Sequence, residues 1–170
     1  MKYLPLLGYI GTIFAANWLI THVGIVPVGF GLYAPAGVYM AGLAFTCRDL
    51  TQDALGRAWT FGAILVGAAL SAFVSPQLAL ASGTAFLLSE LADFAVYTPL
   101  RERHWLGAVA LSNTVGLVVD SALFLLLAFG SLAFLPGQLV GKGLMTVLAV
   151  AVLWAWRNRG HRLPERRGAA

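Results

Sequence analysis

The sequence predicts an all-α, polytopic membrane protein with six transmembrane helices and both termini in the cytoplasm. Of its 170 residues, 59% are hydrophobic and only 11% are charged, whereas a soluble domain is about 25% charged. The apolar segments are nearly continuous, which excludes the amphipathic stripes of an ordinary soluble bundle. Basic residues are concentrated at alternate connections between those segments, and this distribution supports the same fold class.

Six apolar segments can cross a bilayer core, which requires about 20 helical residues, or somewhat fewer in a tightly packed bundle. The first is too long for a signal-peptide core, so we expect it to be retained. We predict a transmembrane domain over residues 1–156 and a basic cytoplasmic tail over residues 157–170. The six segments are roughly Tyr3–Ile20, Gly31–Cys47, Trp59–Val74, Leu78–Leu100, Trp105–Phe129 and Gly137–Trp156.

Lysine and arginine define the orientation of the predicted bundle. The connections after the first, third and fifth segments contain neither residue. By the positive-inside rule, the remaining connections and both termini are cytoplasmic. The formal charge of +4 is therefore explained by membrane orientation rather than by nucleic-acid binding. The ten basic residues on the predicted cytoplasmic side are Lys2, Arg48, Arg57, Arg101, Arg103, Arg157, Arg159, Arg162, Arg166 and Arg167.

Several polar residues lie inside the predicted membrane segments. A charge at the centre of a membrane helix costs roughly 2.5–3.5 kcal/mol on insertion scales, so such residues should pair, bind a ligand or hold a proton. Glu90 and Asp93 share one helix face, and Asn113 and Asp120 share another. We therefore predict one substrate cavity that extends from the outer face to mid-membrane. Its candidate binding residues are Asn17, Glu90, Asp93, Asn113, Asp120 and Lys142.

The charges of these residues indicate the chemistry of the substrate. Three acids oppose one base, so we expect an acidic cavity that suits N–H donors or an amine, since a carboxylate can accept two parallel hydrogen bonds. Purely structural interpretations remain open. Lys142 could extend toward the membrane surface, or it could pair with Asp120. Glu90 and Asp93 could be protonated and bonded to serines. Asn113 could form a hydrogen bond to a neighbouring helix.

Acidic residues also end the second segment. Asp49 and Asp53 lie there beside two arginines. They form either a solvated charge cluster or an inner gate that pairs with Arg101 or Arg103 on the next cytoplasmic connection.

The sequence carries no recognisable motif for catalysis. The three histidines are scattered and lack the spacing of metal ligands. The chain has no Gly-rich phosphate loop and no Ser-His-Asp arrangement. We therefore expect no enzymatic activity, no metal and no cofactor.

Three stretches, "FTCRDLTQDALGR" (45–57), "SELADFAVYTPLR" (89–101) and "SNTVGLVVDSALFLLLAF" (112–129), resemble the queuosine precursor transporter family, also called the vitamin uptake transporter family. The first stretch matches the family pattern at Asp49, Asp53 and Gly56, and the second at Glu90 and Asp93. The third matches at Asp120 and Ser121, the sixth-segment base at Lys142, and the first-segment polar site at Asn17. The resemblance covers residues 15 to 146.

This resemblance implies a multi-pass transporter in the bacterial plasma membrane. Its substrate would be a 7-deazaguanine such as the 7-cyano or 7-aminomethyl compound. The protein would also contact the lipid bilayer, and it would not bind nucleic acid. Because the chain has no nucleotide-binding domain, we expect facilitated or proton-coupled transport, with Asp93 or Asp120 as proton carrier. Alternatives are a substrate-binding subunit of a larger vitamin importer, or transport of another purine-like or vitamin-like compound. A homodimer is compatible with this assignment.

Overall fold

The computed structural model describes residues 2–100 and 105–160. It contains the expected six α-helices and, in addition, a β-hairpin that the sequence analysis did not predict. The elements are α1 (Leu4–Val23), β1 (Ile25–Gly29), β2 (Leu32–Pro35), α2 (Val38–Leu55), α3 (Arg57–Ala72), α4 (Pro76–Leu100), α5 (Trp105–Phe129) and α6 (Leu135–Gly160).

The β-hairpin occupies the beginning of the predicted second segment. Strands β1 and β2 are antiparallel, with Ile25 opposite Pro35 and Val26 opposite Ala34. The intervening turn has positive φ angles at Gly29, Phe30 and Gly31, which glycine adopts without steric cost. The predicted start of the second helix at Gly31 is therefore wrong, because turn and strand residues precede Val38.

Helix α2 consequently extends further along the chain than the sequence predicted. It continues from Val38 to Leu55, so Arg48, Asp49 and Asp53 are helical rather than part of a connection. It ends at Gly56, whose φ of 87° is a conformation that favours glycine at a helix end. This single residue separates α2 from α3 and reverses the chain direction.

The bundle has two distinguishable ends. The rings of Tyr3 and Trp59 lie 5.9 Å apart, so the N-terminus lies near the start of α3. At the opposite end, Gln77 donates to the carbonyl of Ala128 at 3.3 Å. We call these the basic end and the hairpin end, because the first carries Lys2 and Arg57 and the second carries the β-hairpin.

Helix packing divides the bundle into two groups. Helices α4 and α5 pack extensively on each other, whereas α2 packs on α1 and α6, and α3 packs mainly on α1 and α4. The α4–α5 pair has its own apolar core, and a second core joins α1, α2 and α3. The members of these cores are Leu78, Ala81, Ala85, Phe124 and Leu125 in the first, and Tyr9, Ala44, Ala63 and Ile64 in the second.

The exterior is apolar and much of the interior is polar. Leu65, Leu80 and Leu91 are each more than 60% exposed, whereas Asn17 and Lys142 are buried. Within the described residues, only α1 is long and apolar enough by itself to cross a membrane; the stretches Arg57–Ala72 and Asn113–Phe129 are apolar but shorter. The six-span topology and the cytoplasmic termini therefore stay predictions.

Candidate functional site

A cavity lies among all six helices, toward the hairpin end. It leaves about 80 Å³ free, which exceeds the roughly 10–15 Å³ that one water requires on the same kind of measure. We call it the central cavity. Its polar lining comes from Tyr9, Thr12, Asn17, Ser82, Asp120, Gln138 and Lys142, and its aromatic lining from Phe45, Phe86 and Phe124.

A buried ion pair crosses one wall of the central cavity. Lys142 on α6 lies with its Nζ atom 2.5 Å from Oδ2 of Asp120 on α5, and the same amine donates to Ser121 Oγ at 3.0 Å. The Lys142 side chain is only 2% exposed. Removal of both charges from water is tolerated because they pair and the serine provides a further acceptor. This contact is the Asp120 pairing that the sequence left open as one alternative for Lys142.

Three polar atoms of the central cavity lack a hydrogen-bond partner in the described part of the chain. Tyr9 OH, Asn17 Oδ1 and Gln138 Oε1 are buried and have no hydrogen-bond partner among the described residues. All three residues line the cavity. Buried polar atoms are nearly always hydrogen-bonded, so three exceptions around one cavity indicate a place for a polar ligand.

The amide of Asn17 is held in a defined orientation. Its Nδ2 atom donates to Ser82 Oγ at 3.2 Å and to the carbonyl of Ile13 at 3.4 Å. The two donor contacts leave Oδ1 as the free acceptor. Asn17 thereby joins α1 to α4 and still has one acceptor for a ligand.

Gln138 and Tyr9 were missed at the sequence level. Tyr9 carries a single hydroxyl on an apolar ring, and Gln138 lies near the end of its apolar segment. Gln138 is the fourth residue of α6, near the predicted membrane surface. Its polarity alone gave no signal, because its burial at 2% exposure depends on contacts between helices.

A second cavity lies nearer the basic end. It leaves about 300 Å³ free, and we call it the basic-end cavity. Glu90 and Asn113 line this space rather than the central cavity, together with Arg48 and Asp49. The sequence assigned all of these residues to one cavity, but the structure divides them between two. Asn17, Asp120 and Lys142 line the central cavity.

Unlike the predicted acidic cavity, the central cavity has balanced charges among its described lining residues. Its charged lining residues are Asp120 and Lys142, which pair with each other. Glu90 lies outside this cavity and forms an ion pair with Arg48. The sequence placed Arg48 in a connection because it predicted too early an end for the second helix.

The predicted gate residues have different surroundings. Asp49 accepts from Arg48 Nε at 2.9 Å and from Nη2 at 2.7 Å, and Asp53 is exposed on α2. Arg101 and the side chain of Asp93 lie outside the described residues. Pairing of the two aspartates with Arg101 stays a prediction, as does a role for Asp93. Among the described residues, no group of three His, Cys, Asp or Glu side chains could hold a metal ion.

Comparison with known proteins supports a transport function. A family model described as "Putative vitamin uptake transporter" matches residues 70–156, just over half of the chain. The match includes α4, α5 and most of α6, and hence Glu90, Asp120, Gln138 and Lys142. Searches of curated proteins and of solved structures gave no match to this chain. The family resemblance stated from the motifs is confirmed, and the chain belongs to the vitamin uptake transporter family.

Proposed function

We propose that this protein imports a queuosine precursor, 7-cyano- or 7-aminomethyl-7-deazaguanine, through the central cavity. The observation that carries the proposal is the convergence on one cavity of three buried atoms that have no hydrogen-bond partner in residues 2–100 and 105–160. These atoms are Tyr9 OH, Asn17 Oδ1 and Gln138 Oε1. A family of uptake transporters requires a small-molecule site, and these atoms supply unused hydrogen-bonding capacity for one.

The chemistry of the cavity suits a 7-deazaguanine. The heterocycle presents an N1–H and an exocyclic amine along one edge, and the amide oxygens of Asn17 and Gln138 can accept from both. The hydroxyl of Tyr9 can donate to the ring carbonyl. The rings of Phe45 and Phe86 line the same cavity, and stacking of a base on an aromatic ring is worth about 1–3 kcal/mol.

The assignment of acceptors differs from the sequence-based hypothesis. There, Glu90 or Asp93 accepted the N–H groups. Glu90 is engaged by Arg48 and lines the basic-end cavity, so we assign the acceptor role to the two neutral amides. Neutral acceptors also suit the N1–H and exocyclic-amine edge of the ring, which is neutral in both precursors, because they do not require desolvation of an unpaired charge.

We further propose the six-span topology with the basic end in the cytoplasm. An exterior of exposed leucines and an interior with buried amides and an ion pair suit a lipid solvent. The alternation of basic connections supports this orientation.

Proton coupling remains our hypothesis for the driving force. The Asp120–Lys142 pair at the cavity wall is the described group that could exchange a proton when substrate binds. A protonophore should then slow initial uptake in cells or vesicles severalfold. Unchanged initial rates at a collapsed proton gradient would remove this hypothesis and favour facilitated transport.

The test is queuosine formation in tRNA. The chain is expressed in a host that can neither make nor import 7-deazaguanines, and the medium supplies nanomolar amounts of either precursor. We expect queuosine with the wild type and at least tenfold less with Asn17→Ala or Gln138→Leu at equal membrane levels. Gln52→Leu is the matched control, because Gln52 is exposed on α2.

Other results would redirect the assignment. Absence of queuosine with a well-inserted wild type would overturn the substrate, and uptake that appears only with a separate energising complex would favour the subunit alternative. Full activity of both cavity variants would move the binding site away from the central cavity.

A further inference from the structure

Aromatic side chains from α2 and α4 lie where the central cavity approaches the basic-end cavity. Phe45 on α2 lines both cavities, and Phe86 on α4 lines the central one. Their rings stack at 6.3 Å between centroids with an interplanar angle of 29°. These two rings form an aromatic layer on the path from one cavity to the other.

An ion pair lies directly behind the aromatic layer. Arg48 is three residues beyond Phe45 on α2, and Glu90 is four residues beyond Phe86 on α4, so each charged residue shares a helix face with one ring. Arg48 donates to Glu90 across the gap. Its guanidinium carbon lies 5.6 Å from the centroid of Phe45 and 5.9 Å from that of Phe86, within cation–π range of both rings.

The two helices that carry these layers make little backbone contact with each other. Helix α2 packs on α1 and α6, whereas α4 packs on α5 and α3. The separation of the cavities therefore depends on long side chains that bridge α2 and α4. Side chains can change rotamer without repacking of the bundle, and such motions are fast compared with helix displacement.

Arg48 already has a second partner. Its Nε and Nη2 atoms donate to Asp49 on the same helix, and the side chain of Asp49 is 64% exposed. If Arg48 released Glu90, its guanidinium would keep a carboxylate partner and avoid an unpaired buried charge. This second partner lowers the free-energy cost of separating α2 from α4 at this level.

We propose that Phe45 and Phe86, together with the Arg48–Glu90 ion pair, form a gate between the central cavity and the basic-end cavity, which serves as the exit vestibule for the substrate. The role in substrate release rests on the proposed transport function. The existence of the barrier does not depend on that function, because the barrier can be measured in the absence of any substrate. Asp49 holds Arg48 when the gate is open.

The test measures access to the central cavity from the basic end. In a Cys47→Ala background, Ala41→Cys places one thiol on the central cavity wall. Inside-out and right-side-out vesicles are treated with a charged, membrane-impermeant thiol reagent. We expect slow labelling with the intact gate. Addition of Phe45→Ala or Arg48→Ala should raise the rate from the basic end at least tenfold, without change from the hairpin end.

Two controls make the result decisive. Phe61→Ala makes the same substitution at an exposed ring of α3 and should leave labelling unchanged. Gly143→Cys reports on the basic-end cavity, where an added Cβ meets no atom within 4 Å, and should label from the basic end with or without the gate variants. Equal labelling of Ala41→Cys with intact and altered gates, while Gly143→Cys labels normally, would overturn the proposal.

Two different gate variants keep the proposal testable even if one of them fails to fold. Phe45→Ala keeps the ion pair, and Arg48→Ala keeps the aromatic layer, so both must act if the layers form one barrier. If labelling confirms the gate but the protein gives no queuosine, the gate proposal stands and the proposed substrate is rejected.

Discussion

Two ion pairs that join different helices among the described residues lie in different surroundings. Lys142–Asp120 joins α6 to α5, and Arg48–Glu90 joins α2 to α4. The lysine is 2% exposed and also donates to Ser121. Arg48 and Glu90 are 13% and 23% exposed.

The difference indicates separate functions for the two pairs. A buried pair with a single arrangement fixes the distance between its helices, because separation would leave an uncompensated charge. Arg48 also binds Asp49, so its pair can exchange partners at lower cost. We infer that the central pair holds the central cavity together, whereas the pair at the basic end can open. Each of the following predictions tests this division.

The largest effect is expected at Lys142. The Lys142→Met variant leaves Asp120 buried without its partner, which should lower the free energy of unfolding by about 3–5 kcal/mol. Thermal unfolding in detergent measures the loss. The double variant Lys142→Met, Asp120→Leu removes both charges and should recover most of the stability but not transport. A single variant as stable as the wild type would show that the pair does not fix the bundle.

Gly42 on α2 packs closely against α6 beside Lys142. A Cβ added at Gly42 would lie 2.8 Å from the carbonyl oxygen of Lys142 and from Cβ of Met145. Overpacking of this kind costs about 1–3 kcal/mol, so Gly42→Ala should unfold at lower temperature. Gly62→Ala is the control, because a Cβ there meets no atom within 4 Å. Equal melting temperatures for both variants would contradict close α2–α6 packing.

The sequence predicted the helices better than the site. Apolar length and the alternation of arginines were enough for six helices, because both follow from local composition. The β-hairpin was missed because its valines and prolines are as apolar as the helix that follows. The second helix was predicted to end before Arg48, so Arg48 was placed in a connection. Its pairing with Glu90 could therefore not be predicted.

The central cavity shows a second limit of prediction from sequence. Asn17, Asp120 and Lys142 were identifiable because polar residues in apolar segments are costly. Gln138 and Tyr9 were not, since only the packing of six helices buries their polar atoms. Faces on single helices also could not reveal that Phe45 lines both cavities and packs on Phe86.

A smaller effect with the opposite sign is expected at Gln138. Its Oε1 atom is buried and has no partner among the described residues, so Gln138→Leu should raise the free energy of unfolding by about 1 kcal/mol. Uptake should fall at the same time, as functional sites often lower stability. Parallel melting and uptake curves provide the measurement. Lower stability with unchanged uptake would assign Gln138 a structural role.

The smallest change in stability is expected for reversal of the Arg48–Glu90 pair. The variant Arg48→Glu, Glu90→Arg keeps opposite charges at a partly exposed position, so the free energy of unfolding should change by less than about 1 kcal/mol. The reversal also removes attraction to Asp49, because a glutamate at position 48 repels it. We therefore expect slow labelling of Ala41→Cys from the basic end, as in the wild type, with slower transport. The corresponding reversal at Asp120 and Lys142 should not accumulate in membranes, since the buried site cannot rearrange. If both reversals behaved alike, the division between a fixed pair and an exchangeable pair would fail.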